Sequence, residues 1–256
     1  MTTILTIKDA DFSANAIGFS PPVTSGLIGW WYLGGTQALT EKDLSFTGNA
    51  TLAGSPTIED EYVSFGGAST GQYLQTTLAD PVDISMLVVA RTSATFGSAA
   101  QRPMYIGNYG ADSGYSNTQH GAGIYTESGT APSGVTRASQ SHDITGTVTP
   151  STSPALTIAT LSSWNFMCSS YAQSGGAKRF RCITTAQSGT ATQTATRVPH
   201  TTNKLRIGAS FNSSVFGGAC DVAFAAVYNV ALTTNQEDAI YEFVARFMLD
   251  RRSITI

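Results

Sequence analysis

The feature that most constrains this chain is a succession of short strand-like segments with no helix between them. They run from Ile4 to Ile7, Leu27 to Leu33, Tyr62 to Phe65, Tyr73 to Gln75, Ile84 to Arg91 and Met104 to Gly107. The series continues at Leu156 to Ile158, Trp164 to Tyr171, Arg179 to Thr185, Lys204 to Ile207 and Asp221 to Tyr228, always between clusters of Gly, Ser, Asn and Pro. A parallel sheet needs crossover connections, usually helices, whereas turns suffice for antiparallel strands. The pattern therefore predicts a mainly antiparallel sandwich or barrel. Ser and Thr make up roughly a quarter of the residues, and Thr favours strands. With 41% hydrophobic residues, including 12 Phe, 10 Tyr and 3 Trp, the 256-residue chain can fill the core of one large β domain.

Charge narrows the partners. Only 12% of residues are Asp, Glu, Lys or Arg, and 14 basic against 17 acidic groups leave a net charge of -3. No positive field gathers phosphates, which argues against nucleic acid. No apolar run approaches the roughly 18 residues of a spanning helix, and Met1 to Lys8 lacks the basic start and apolar stretch of a signal peptide. The expectation is a chain without export signal or membrane insertion. Cys168, Cys182 and Cys220 are an odd set without metal-ligand spacing, read as small core hydrophobes. A hairpin across Gln173 to Ala177 would set Cys168 opposite Cys182, as a disulfide or, preferably, as two reduced thiols. Trp164, Phe166 and Cys168 share one face of its first strand. On the second, Phe180 and Cys182 oppose Arg179 and Arg181.

Near the C-terminus Thr234 and Glu237 suggest a capping box, and Ile240, Phe243, Val244, Phe247 and Met248 follow helical spacing over about 234–248. Gly129 to Pro154 and Ala186 to His200 carry few large apolar groups and read as loops. The predicted core comprises Trp30 or Trp31, Phe65, Val88, Phe166, Phe180, Phe224 and Val227.

Few motifs carry chemistry. Gly67-Ala-Ser-Thr-Gly71 matches the nucleophile-elbow pattern but precedes a strand rather than a helix, so Ser69 reads as a turn residue. Glu59-Asp60-Glu61 is the densest carboxylate cluster and reads as a solvated strand edge rather than a glycosidase pair. His120, His142 and His200 lie in loop-like segments without a recognisable partner spacing and read as surface residues, so no metal set and no catalytic set is assigned. The segment from Met104 to Tyr125 is different, because it interleaves aromatic and short polar groups as saccharide sites do. Tyr109 and Tyr115 would offer ring platforms, with Asp112, Asn117 and His120 contacting hydroxyls.

The order of segments resembles the concanavalin A-like jelly roll of laminin-G-like domains. Gly26 to Tyr32 is similar to the first strand, Leu44 to Leu52 to a Gly-Asn loop and strand, and Ile84 to Arg91 and Trp164 to Tyr171 to two central strands. Leu205-Arg-Ile-Gly208, then Phe216 to Leu232 with its Tyr-Asn-x-Ala-Leu turn and a following helix start, is similar to the family's ending. The resemblance implies a two-sheet antiparallel jelly-roll sandwich over 25–248, with an N-terminal strand or attachment segment at 1–24 and a tail or strand at 249–256. The carboxylate motif of glucanase relatives is absent, so the resemblance implies no hydrolysis. No cofactor is assigned; calcium would fall to Asp112, Asn117 or Asp221 without a mapped motif. Ile4 to Asn15 also resembles the start of tailed-phage virion proteins that carry a lectin-like module. That similarity implies a tail-fibre or tail-tip protein made in the host cytoplasm, homo-oligomeric and commonly trimeric, in contact with other virion proteins. It would bind a bacterial surface saccharide. The rival readings are a structural or decoration protein that makes only protein contacts, and a polysaccharide-degrading enzyme.

Overall fold

The computed structural model describes residues 20–94, 97–130, 133–144, 147–174 and 176–256; the segments expected at Ile4 to Ile7 and Ile4 to Asn15 lie outside them. Two large antiparallel sheets pack face to face as a β-sandwich, and one long helix covers the outer face of one sheet. That sheet runs Gln187–Thr192, Ala177–Cys182, Asn165–Tyr171, Ile84–Arg91, Cys220–Tyr228, Val63–Phe65 and Thr57–Ile58, with Leu27–Tyr32 also pairing with Cys220–Tyr228. The other runs Thr147–Thr152, Ser133–Ile144, Gly123–Thr130, Met104–Gly107, Arg206–Ile207, Tyr73–Gln75 and Thr51–Ala53. Leu156–Ile158 and Thr196–Arg197 join it on Ser133–Ile144.

The central strands of the helix-covered sheet are buried on both faces, which explains their uninterrupted apolar runs. Along Ile84–Arg91, Ile84, Met86, Val88 and Ala90 enter the space between the sheets while Leu87 and Val89 meet the helix layer. The adjacent Trp30 and Trp31 divide in the same way, Trp31 between the sheets and Trp30 under the helix. In Cys220–Tyr228 a bulge between Val222 and Phe224 shifts the alternation, so that Val222, Ala225 and Val227 face one core and Phe224 and Ala226 the other. Every residue of the predicted core is buried.

The hairpin from Asn165 to Cys182 is present, but its register differs by one residue. Met167 pairs with Cys182, and Cys168 pairs with Arg181. Because a strand has a period of two, the slip places Cys168 on the helix side and Cys182 between the sheets, and all three cysteines are free and buried. The stretches expected as loops also need correction, since they carry Ser133–Ile144, Thr147–Thr152, Gln187–Thr192 and Thr196–Arg197. Gln187–Thr192 is an edge strand with no buried side chain, so its pairing with Ala177–Cys182 comes from backbone bonds that leave no hydrophobic signature.

The C-terminal helix spans Thr234–Arg252, four residues beyond the expected end. Its capping box is Thr233 and Gln236 rather than Thr234 and Glu237. The difference frees Glu237, fully buried, to accept hydrogen bonds from Arg179 at 2.7 Å, Arg181 at 2.9 Å and Ser170 at 2.6 Å. The two arginines, on the strand face opposite Phe180 and Cys182, thus anchor the helix. Ile240, Val244 and Met248 are buried beneath it, Phe247 stacks on Tyr32 at 3.9 Å, and Phe243, expected in the buried face, is 37% exposed against the edge of Trp30. Ile240→Ala should therefore lower unfolding stability by about 2–5 kcal/mol, and Phe243→Ala by clearly less. Glu237→Ala should cost about 3–5 kcal/mol by leaving Arg179 without its carboxylate and Arg181 with Asp238 alone. Denaturant unfolding monitored by tryptophan fluorescence measures all three, and a larger loss for Phe243→Ala than for Ile240→Ala would contradict the helix packing.

Candidate functional site

The segment expected to contact saccharide folds as a small hairpin at one end of the second sheet. Gly110–Asp112 pairs with Thr118–His120, Gly110 opposite His120 and Asp112 opposite Thr118. Asp112 caps the short turn Ser113–Tyr115 by accepting the Gly114 N–H at 2.9 Å, and Ser116 and Asn117 then close the hairpin in left-handed conformation. Alternation puts Ala111 and Gln119 outside, Asp112 and His120 inside. A side chain at Gly110 would come within 2.6 Å of Phe211, so only glycine lets that ring close over the hairpin.

Of the five expected contact residues, Tyr109 and Tyr115 are half-buried and Asn117 is exposed, whereas Asp112 and His120 are fully buried. Those two carry no free surface toward solvent. The surface reading of the histidines is likewise corrected: His120, His142 and His200 are all buried. His120 and His200 stack with centroids 4.7 Å apart, and Asp112 Oδ2 lies 3.0 Å from His120 Nε2 and 3.2 Å from His200 Nδ1. The same carboxylate accepts the Thr201 N–H at 2.7 Å and the Thr201 hydroxyl. The His200 backbone is fixed by Asp80, which accepts its main-chain N–H at 2.9 Å and pairs with the buried Arg197. His200 escaped the sequence reading because it lies 80 residues after His120 and no local spacing links them.

Burial pushes the Asp112 pKa up, but the Thr201 hydroxyl, the Thr201 and Gly114 N–H groups and the nearby His200 outweigh it and hold the group at about 2. Burial lowers the pKa of His120, helped by His200, and that of His200 against the pull of Asp112. A calcium site does not fit, because that ion takes oxygen ligands. Asp112 meets two imidazoles, Asn117 is exposed, and the oxygens of Asp221 already accept from Ser64 at 2.6 Å and Arg91 at 2.8 Å.

Around the hairpin the structure gathers rings the sequence did not connect. The Phe211 N–H donates to Tyr109 O at 2.9 Å, and the Arg206 guanidinium lies between Phe211 and Tyr73, 3.3 and 3.8 Å from their centroids. Tyr109 meets Phe216 edge-on at 5.3 Å, and Tyr115 meets His120 edge-on at 5.6 Å. Asn212 donates to Gln119 at 2.9 Å across the exposed side. Elsewhere, Ser69 sits in a turn and donates to Gly217 O at 2.8 Å, and Glu59 to Glu61 form a turn at the sheet edge.

No protein-family model matches the chain, and no curated protein matches it. Solved structures do. The receptor binding domain of botulinum neurotoxin C/D mosaic serotype aligns with a TM-score of 0.53 at 12% identity, over 86% of this chain and 52% of that one. The botulinum neurotoxin serotype D ligand binding domain in complex with N-acetylneuraminic acid aligns at 0.54 and 10%, over 86% and 52%. Trypanosoma rangeli sialidase in complex with sialic acid aligns at 0.56 and 11%, over 91% and 35%. The chain spans about half the length of the toxin domains and about a third of the sialidase. At these identities the likeness is one of fold, and the fold is a β-sandwich. No helix among the described residues is long and apolar enough to cross a membrane.

Buried neutral histidines make stability depend on pH. Burial lowers the His142 pKa from 6.5 to about 4, helped by Lys178 and Arg197 and opposed by the Ala195 carbonyl. The unfolded chain then binds more protons than the folded one between those values, so stability is full above about 6.5 and falls as the pH drops toward 4. Melting temperatures across this range should decline, and His142→Gln should flatten part of the decline. A flat profile for the parent chain would contradict the buried neutral ring.

Proposed function

We propose that this protein is a non-enzymatic virion module of a tailed phage, placed in a tail fibre or tail tip, that binds a bacterial cell-surface saccharide. The observation that carries the saccharide reading is the set of half-exposed rings of Tyr109, Tyr115, Phe211 and Tyr73 held on and beside one hairpin, with the exposed amides of Asn117 and Gln119 among them. Ring faces stack on the apolar face of a sugar, and amides meet its hydroxyls. Asp112 and His120 support this surface from below rather than touching the ligand. Because the hairpin is already braced, little ordering is lost on binding. The two neighbours in complex with N-acetylneuraminic acid and sialic acid support a saccharide ligand; the resemblance of the N-terminal segment supports the virion assignment.

A shallow platform with two or three solvent-competed hydrogen bonds gives a dissociation constant on the order of millimolar, about -4 kcal/mol per site. Adhesion then requires several copies, which a homotrimer provides, since tethered sites raise avidity by roughly a hundredfold or more. Light scattering should return a multiple of 26.8 kDa, and a single chain's mass at high micromolar concentration would remove the trimer. A glycan array of bacterial polysaccharides should give saturable binding by the parent chain, lost in a Tyr109→Ala, Tyr115→Ala double mutant of equal melting temperature. Undiminished binding by the mutant would move the site elsewhere. Release of reducing sugar from the bound polysaccharide would favour an enzyme.

A further inference from the structure

A buried carboxylate between two buried imidazoles is an unusual thing to assemble from two distant pieces of chain, and its geometry is only partly that of hydrogen bonding. Asp112 and His120 come from the two strands of the hairpin, and His200 from the connection after Thr196–Arg197. One ligand atom from each lies within 4.8 Å of the others, and none of the three side chains is exposed. His120 Nε2 is 3.0 Å from Asp112 Oδ2, yet neither ring nitrogen of His120 is aligned for a hydrogen bond with any described residue. Buried polar groups are nearly always satisfied, so a fully buried imidazole with both nitrogens unmatched, one of them beside a carboxylate, points to a missing ligand.

We propose that Asp112, His120 and His200 form a binding site for a late first-row divalent cation, zinc foremost. Nitrogen and carboxylate donors suit such a cation rather than calcium or magnesium. With bonds near 2.0–2.1 Å, tetrahedral ligand atoms sit about 3.3 Å apart. The observed carboxylate-to-imidazole separations of 3.0 and 3.2 Å are close to that spacing. His200 Nδ1 now accepts the Asn203 N–H at 3.0 Å and the Thr202 N–H at 3.3 Å, so metal binding through this nitrogen replaces those bonds. Part of the outer shell is already built: Asp112 is oriented by Thr201 and Gly114, the His200 backbone is held by Asp80, and the other ring nitrogen of His200, Nε2, lies 3.0 Å from the Asn203 amide nitrogen. Coordination would fasten the hairpin to a segment 80 residues away, beneath Tyr115. The site stands whether or not that hairpin binds saccharide.

The test uses the full chain without an affinity tag, stripped with chelator and titrated with zinc by calorimetry and with cobalt by visible absorption. The expected result is one equivalent per chain, a dissociation constant on the order of micromolar or below, and the ligand-field bands of nitrogen-ligated cobalt at low coordination number. His120→Gln and His200→Gln should each weaken binding by at least about a hundredfold, the upper end of what loss of an outer-shell partner costs. His142→Gln, at a buried histidine outside the cluster, should bind as the parent does. Absence of saturable zinc binding by the parent chain would overturn the proposal, as would parent-like affinity in a folded His120→Gln variant. Should both histidine variants fail to fold, the cobalt spectrum of the parent decides: bands of an all-oxygen, six-coordinate ion would overturn the site.

Discussion

In Ile84–Arg91 only Arg91 reaches solvent, and in Cys220–Tyr228 only Asp221 does. Two adjacent strands with apolar residues on both faces cannot form an ordinary half-exposed sheet, so this double burial dictates the rest of the architecture. The second sheet covers one face. The other face must be covered too, and the helix Thr234–Arg252 does it with Ile240, Val244 and Met248. Glu237 fixes the register of that layer, because its carboxylate meets Arg179, Arg181 and Ser170 only if the helix begins where Thr233 caps it. A buried ion pair of this kind adds little net stability, yet breaking it is costly, which makes it a device for selecting one arrangement.

The rigidity of the sandwich transfers to the loops at its end. Gly107 pairs with Gly123 and Arg206, so the hairpin from Gly110 to His120 starts and returns on strands of the second sheet. Asp80, Arg197 and His200 then tie the opposite connection to the same point. Rings such as Tyr109 and Phe211 are thereby held half-exposed without being free to collapse onto the core. Function on loops of a rigid scaffold is a common arrangement, and here the buried Asp112, His120 and His200 do the bracing.

How much of this was legible in the sequence follows from the range of each interaction. Strand segments such as Tyr73–Gln75, Ile84–Arg91 and Met104–Gly107 were readable to the residue, because large apolar side chains mark them. Gln187–Thr192 was not, because an edge strand of Ser, Thr and Gly is held by backbone bonds alone. The hairpin at Asn165–Tyr171 was readable, but its register was not, since the turn alone does not set whether Cys168 or Met167 meets Cys182. Tyr109, Tyr115 and Asn117 could be singled out by composition. The partnership of His120 with His200, and of Arg206 with Tyr73 and Phe211, depends on contacts between residues tens of positions apart, and no periodicity encodes it.

The central claim is that the hairpin and its neighbouring turn meet the saccharide while the sandwich stays as it is. Hydrogen–deuterium exchange with and without a polysaccharide from a susceptible bacterium addresses it directly. Slowed exchange confined to 109–120 and 210–216, with Ile84–Arg91 and Cys220–Tyr228 unchanged, is the result the account predicts. Protection centred on another edge of the sandwich, or none at saturating polysaccharide, would contradict it.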